Sequence, residues 1–85
     1  MIFILAYPII TNMQYTKLGK FIFDKRENLK ISLNKFALAN NIEPATLSRI
    51  ENLKQGVKVE TLIKIAKGFG TTPAKFLTEF ENTFK

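Results

Sequence analysis

The side chains able to do chemistry in this sequence are few, and most of them are basic. Cysteine and histidine are absent. That removes disulfides, thiolate metal sites, cysteine nucleophiles, the commonest general base and the commonest metal ligand. Asp24 and Glu27 are isolated carboxylates that form no acid–base constellation, and no glycine-rich phosphate loop is present. An enzyme is therefore the weakest reading, and no catalytic residue, metal or cofactor is expected. Charge is what remains. Thirteen Lys and Arg against seven Asp and Glu give a net charge of +6, with a pI near 9.8. Such a chain is drawn to anions: nucleic acid, an acidic partner or an anionic membrane surface.

Eleven of the basic residues are Lys and only two, Arg26 and Arg49, are Arg. Lys, Ile, Asn and Phe are all favoured by AT-rich codons, so the lysine excess can reflect genome bias. The two arginines are more informative, and the elements that carry them decide what they can do. Eighty-five residues make one small domain. Leu, Ile, Val and Phe account for 29 of them, far more than a disordered basic tail would hold. With neither metal nor disulfide as a staple, the domain must fold on this apolar core.

Residues 1–10 read MIFILAYPII, an uncharged apolar run. It is too short to span a bilayer, which needs about 20 residues. It also lacks the basic start and cleavage site of a signal peptide. Residues 1–15 are read as a short, extended apolar arm or as a non-native start ahead of Met13. Residues 16–80 form the domain and 81–85 a tail.

From Thr16 the pattern turns helical. Leu18, Phe21, Ile22 and Leu29 recur on one helical face, predicting a first helix over about 17–28. Ser32 is a fit N-cap for a second helix carrying Leu33, Phe36 and Ala37, which stops at Asn40-Asn41. Pro44 suits the first position of a third helix, with Leu47 and Ile50 inward and an end near Asn52. A fourth runs from about Val59, with Leu62, Ile63, Ala66 and Phe69 inward and Gly70 as its stop. Thr72-Pro73 restarts a fifth, holding Phe76, Leu77 and Phe80. No alternating strand pattern follows Met13.

The second and third helices carry the specific signal. Two short helices joined by a tight turn need a small residue where they touch, and Ala37 is that residue. Four residues on, Asn41 supplies the left-handed turn. The combination is a helix-turn-helix with Pro44–Asn52 as candidate recognition helix.

The wider pattern resembles the Cro/C1-type (XRE family) helix-turn-helix proteins. The resemblance rests on Leu18-Gly19, Arg26, Ile31-Ser32, Phe36-Ala37 and Ile42. It continues through Leu47-Ser48-Arg49-Ile50-Glu51-Asn52, then Glu60-Thr61-Leu62-Ile63-Lys64-Ile65-Ala66, Phe69-Gly70 and Phe76-Leu77. It implies an all-α, five-helix, lambda-repressor-like DNA-binding domain that inserts its third helix in the major groove and commonly binds as a dimer. A cytoplasmic transcriptional regulator is expected, in the first place a repressor acting on a palindromic operator of double-stranded DNA. The alternative that the resemblance permits is the antitoxin of a toxin–antitoxin pair. In that reading the apolar N-terminal run or the Phe-rich C-terminus would touch the toxin. A membrane-surface role fits poorly.

Carried over by position, the resemblance implies that Pro44, Ala45, Thr46, Ser48 and Arg49 face DNA as base-reading candidates. Arg49 can bind guanine bidentately, contact a phosphate or sit in solvent. Pro44 and Ala45 offer only apolar contact, for which thymine methyls are the natural target. Phosphate candidates are Leu33 (through backbone N–H groups), Asn34, Lys35, Asn52, Lys54 and Lys58. Arg26 has two readings: a phosphate contact or, as the resemblance implies, a structural ion pair with Glu51. The pattern departs from the family at Leu33, where a glutamine is usual, and at Glu43, where Ser or Thr is usual. It departs again at Leu53, often Gly, and at Val57, often Pro. Phe76, Phe80 and Phe84 recur every four residues along the last helix, the expected homodimer seam. Phe76 is expected to pack in the core, while Phe80 and Phe84 are more than the core obviously needs.

Overall fold

The computed structural model describes residues 12–83. They form five helices: α1 Asn12–Asn28, α2 Leu33–Ala39, α3 Pro44–Glu51, α4 Val59–Gly68 and α5 Pro73–Thr83. The described residues contain no strand. α1 begins ahead of the predicted Lys17, and α5 continues past Phe80 to Thr83. The run 1–10 and Phe84 lie outside the described residues.

Local chemistry explains where the helices start and stop. The Ser32 hydroxyl accepts the Lys35 N–H at 3.1 Å, and Thr72 does the same for Lys75 at 3.2 Å. Pro44 and Pro73 open α3 and α5. Each of the first four helices is followed by a residue with positive φ: Lys30, Asn41, Leu53 and Gly70. In every case the next N–H reaches back to the last turn, Ile31 to Arg26, Ile42 to Ala37, Lys54 to Arg49 and Thr71 to Ala66. These are Schellman endings, which satisfy carbonyls a helix end leaves orphaned. Only one of the four uses glycine.

The core draws on all five helices. Leu18, Phe21 and Ile22 of α1 meet Phe36 and Ala37 of α2, and Leu47 and Ile50 of α3 join them. Ile65, Ala66, Phe76 and Phe80 close it from α4 and α5. Five rings run through it in contact, from Phe36 to Phe69 at 4.7 Å, Phe76 at 5.8 Å, Phe21 at 5.3 Å and Phe80 at 5.4 Å. Gly19 lets α1 approach α3: a Cβ there would collide with the Ile50 carbonyl oxygen.

Three sequence expectations are corrected. Leu29 is exposed, because α1 ends at Asn28 and the left-handed Lys30 turns the chain away. On α4 it is Ile65, not Ile63, that is fully buried. The inward stripe is Leu62, Ile65, Ala66 and Phe69, at steps that keep one helical face. Phe76 and Phe80 are buried in their own chain around Phe21, so these two rings are not an exposed dimer seam. None of the described helices is long and apolar enough to cross a membrane.

Candidate nucleic-acid interface

α3 is held from below and open above. Leu47, Ile50 and Glu51 are buried, while Ala45 and Arg49 are exposed and Pro44, Thr46 and Ser48 are half-buried. The buried side rests on α2 and α1. The open side therefore presents the candidates Pro44, Ala45, Thr46, Ser48 and Arg49 at helical spacing, on a backbone fixed by the core.

α3 is anchored by a buried ion pair as well as by its apolar side chains. Arg26 Nε and Nη2 donate to the two carboxylate oxygens of Glu51, each at 2.8 Å, and both side chains are buried. Arg26 Nη1 donates to the Ile31 carbonyl at 2.8 Å, tying the α1–α2 turn to the same group. The Glu51 hydrogen bonds push the Arg26 pKa up from its already high ordinary value, outweighing burial, which pulls the other way. With these contacts Arg26 faces the interior.

Arg49 is placed differently. Its Nε donates to Gln55 Oε1 at 2.6 Å, and its Nη2 to Thr46 Oγ1 at 3.3 Å. Thr46 and Arg49 share a cleft of about 700 Å³ with Gln55–Lys58 and with Glu60 and Thr61 of α4. Asn52 Nδ2 folds back on Ser48, to its carbonyl at 2.8 Å and its hydroxyl at 3.2 Å. That amide closes α3. Sequence reasoning passed over Gln55, since nothing in its spacing marks a loop residue as a partner of the helix before it.

The flanks are basic. Asn34 and Lys35 on α2 and Lys54 and Lys58 on the α3–α4 loop are exposed. Leu33 is half-buried and packs against the core. Glu43 stands at the N-cap of α3, exposed and with no side-chain hydrogen bond to the helix it precedes. Lys64 points elsewhere and donates to the Asn41 carbonyl at 3.0 Å. Among the described residues no group of acidic side chains gathers to hold a metal ion.

This arrangement defines an all-α, lambda-repressor-like helix-turn-helix domain. The model of the HTH_3 helix-turn-helix family matches residues 22–76, and the chain belongs to that family, the XRE type. Two solved structures are similar. One is an HTH_3 family transcriptional regulator from Vibrio cholerae, with TM-score 0.71 and 24% identity, over 80% of this chain and 38% of that one. The other is the clp gene regulator ClgR from Corynebacterium glutamicum, with TM-score 0.69 and 25% identity, over 81% of this chain and 73% of that one. The chain thus spans well under half of the Vibrio regulator. A comparison with curated proteins finds no match.

Proposed function

We propose that this chain is a sequence-specific DNA-binding transcription regulator, acting in the cytoplasm as a repressor. The observation that carries the reading is the division of α3. Its apolar side and Glu51 are locked into the core, while Thr46, Ser48 and Arg49 stand on the open side. A helix so held can enter a major groove without bending, and its polar side chains then reach base edges. Arg49 is the candidate for guanine, and Pro44 and Ala45 for thymine methyls. Lys35, Lys54 and Lys58 neutralise phosphates, supplying affinity but little sequence information. Asn34, Asn52 and the backbone N–H groups at Leu33 are the remaining phosphate candidates.

Two copies on a palindrome place their recognition helices about 10 bp apart, one turn of DNA. Selection of bound duplexes from random sequence tests the whole reading. The expected product is a palindrome with AT-rich half-sites around one G·C pair. Recovery of no enriched sequence would refute it.

A protein partner is the second reading, as for an antitoxin. The observation that favours it is an exposed apolar pair on α4, Val59 and Ile63, one turn apart. A toxin seated there would protect both residues from solvent when the two proteins are mixed. A mass by light scattering that doubles without any toxin would assign the pair to a homodimer instead.

A further inference from the structure

We propose that Gln55, outside the recognition helix, determines specificity by positioning Arg49. The inference rests on the base-reading role of α3 put forward above. It starts from which part of the Arg49 guanidinium is already in use. In the Arg26 pair, Nε and Nη2 engage the two oxygens of one carboxylate, so these two nitrogens share an edge of the guanidinium. In Arg49 the same two nitrogens are engaged by Gln55 and Thr46. A guanidinium has five N–H donors. Two are occupied, and the three left include both on Nη1. Nη1, with both its hydrogens open, and Nη2, with one, are the nitrogens left to donate to guanine O6 and N7.

The holder is better fixed than the group it holds. Gln55 is half-buried where Arg49 is exposed. Only Gln55 Oε1 can accept from Nε, so the amide has one usable orientation, with Nε2 toward the Gly56 carbonyl at 3.5 Å. The loop itself is tied to the same residue, because the Lys54 N–H donates to the Arg49 carbonyl at 2.8 Å. Arg49 is thus gripped at its backbone and at its side chain by consecutive loop residues. A long, flexible side chain aimed before it meets DNA distinguishes bases more sharply than one that must be ordered on arrival.

The test uses the full chain and a site obtained by random-duplex selection. Duplexes permuted at each base pair of that site compete for the parent, Arg49→Ala, Gln55→Ala, Gln55→Glu and the double alanine variant. Thermal melts of all five control for folding. Arg49→Ala is expected to lose about tenfold of discrimination at one base pair. Gln55→Ala is expected to lose several-fold at that same base pair and nowhere else. The double variant should lose no more than Arg49→Ala. Gln55→Glu keeps an acceptor for Nε, so it should retain the preference even as its added charge weakens binding to every sequence alike. The proposal is overturned if Gln55→Ala leaves the preference intact, relaxes a different base pair, or adds to the loss in Arg49→Ala. If the parent itself shows no base preference, the base-reading role of α3 falls and this inference falls with it. In the other cases the base-reading role survives.

Discussion

The Arg26 guanidinium lies along the Glu51 carboxylate, with both hydrogen bonds at 2.8 Å and both side chains buried. Removing one partner leaves the other buried and unpaired. Glu51→Ala is expected to cost about 3–5 kcal/mol, a large share of the stability of so small a domain. Replacing both residues, as Arg26→Met with Glu51→Leu, should cost much less, because no charge is then stranded. Thermal melts of the two variants check this. Equal losses would mean that the side-chain volume matters and the charge pairing does not. On the arginine side the raised pKa gives stability that is fully present below the ordinary guanidinium range and lost only as pH rises through strong alkali. This group should therefore introduce no pH dependence near neutrality.

Gly19→Ala should be the more damaging of two glycine substitutions. The added methyl meets the backbone of Ile50, which cannot move without shifting α3, and overpacking of this kind costs about 1–3 kcal/mol. At Gly70 the φ of 76° is unfavourable but the space around it is open, so alanine there should cost about 1 kcal/mol. Denaturant midpoints would settle the order.

Lys30→Gly should stabilise the domain. Lys30 is exposed and has a φ of 57°, a conformation that costs a side-chain-bearing residue roughly 1–2 kcal/mol. Part of that gain is lost to the greater freedom of glycine in the unfolded chain. A net gain of about 0.5–1 kcal/mol corresponds to a Tm higher by roughly 2–8 °C. A lower Tm would show that the Lys30 side chain contributes more than its exposure implies.

Glu43→Ser should act on both folding and binding. Serine can accept an N–H of the first turn of α3 where Glu43 makes no such bond, worth about 1 kcal/mol. It also removes a negative charge from the end of the helix proposed to enter the groove. Tighter DNA binding and faster association are expected at low salt. Unchanged binding with a raised Tm would place Glu43 clear of the phosphates.

The lysines should reveal themselves through salt. Each phosphate neutralised contributes about 0.9 to the slope of log affinity against log salt. Lys54→Ala and Lys58→Ala should each flatten the slope by about 1 if they touch phosphates, with base preference unchanged. A lysine whose removal leaves the slope alone is a solvated surface charge.

Much of this fold was legible because its punctuation is chemical. Ser32, Pro44, Gly70 and Thr72-Pro73 mark helix ends by mechanisms that act locally. The Leu47–Ile50 pair marks the inward side of α3. Legibility failed where two local patterns competed. Ile63 and Ile65 are both isoleucines on an apolar helix, and only the spacing from Leu62 to Phe69 separates the buried one from the exposed one. Phe80 looked surplus until Phe21 met it across the core. Lys30 and Leu53 take left-handed turns that their residue types do not favour, so the geometry of these two helix ends was hidden even though their positions, near Asn28 and Asn52, were not. At the candidate site, the outward face of α3 followed from periodicity, while the Gln55 contact depends on how a loop folds back.

The contact from Gln55 to Arg49 means that the helix proposed to read bases is not a self-contained cassette. Arg49, the proposed guanine reader, is held from a loop that lies beyond the helix in sequence. Grafting Pro44–Glu51 onto a related scaffold would carry over the letters but not the aim. On the proposed reading, the smallest portable unit of specificity runs from Pro44 through Gln55.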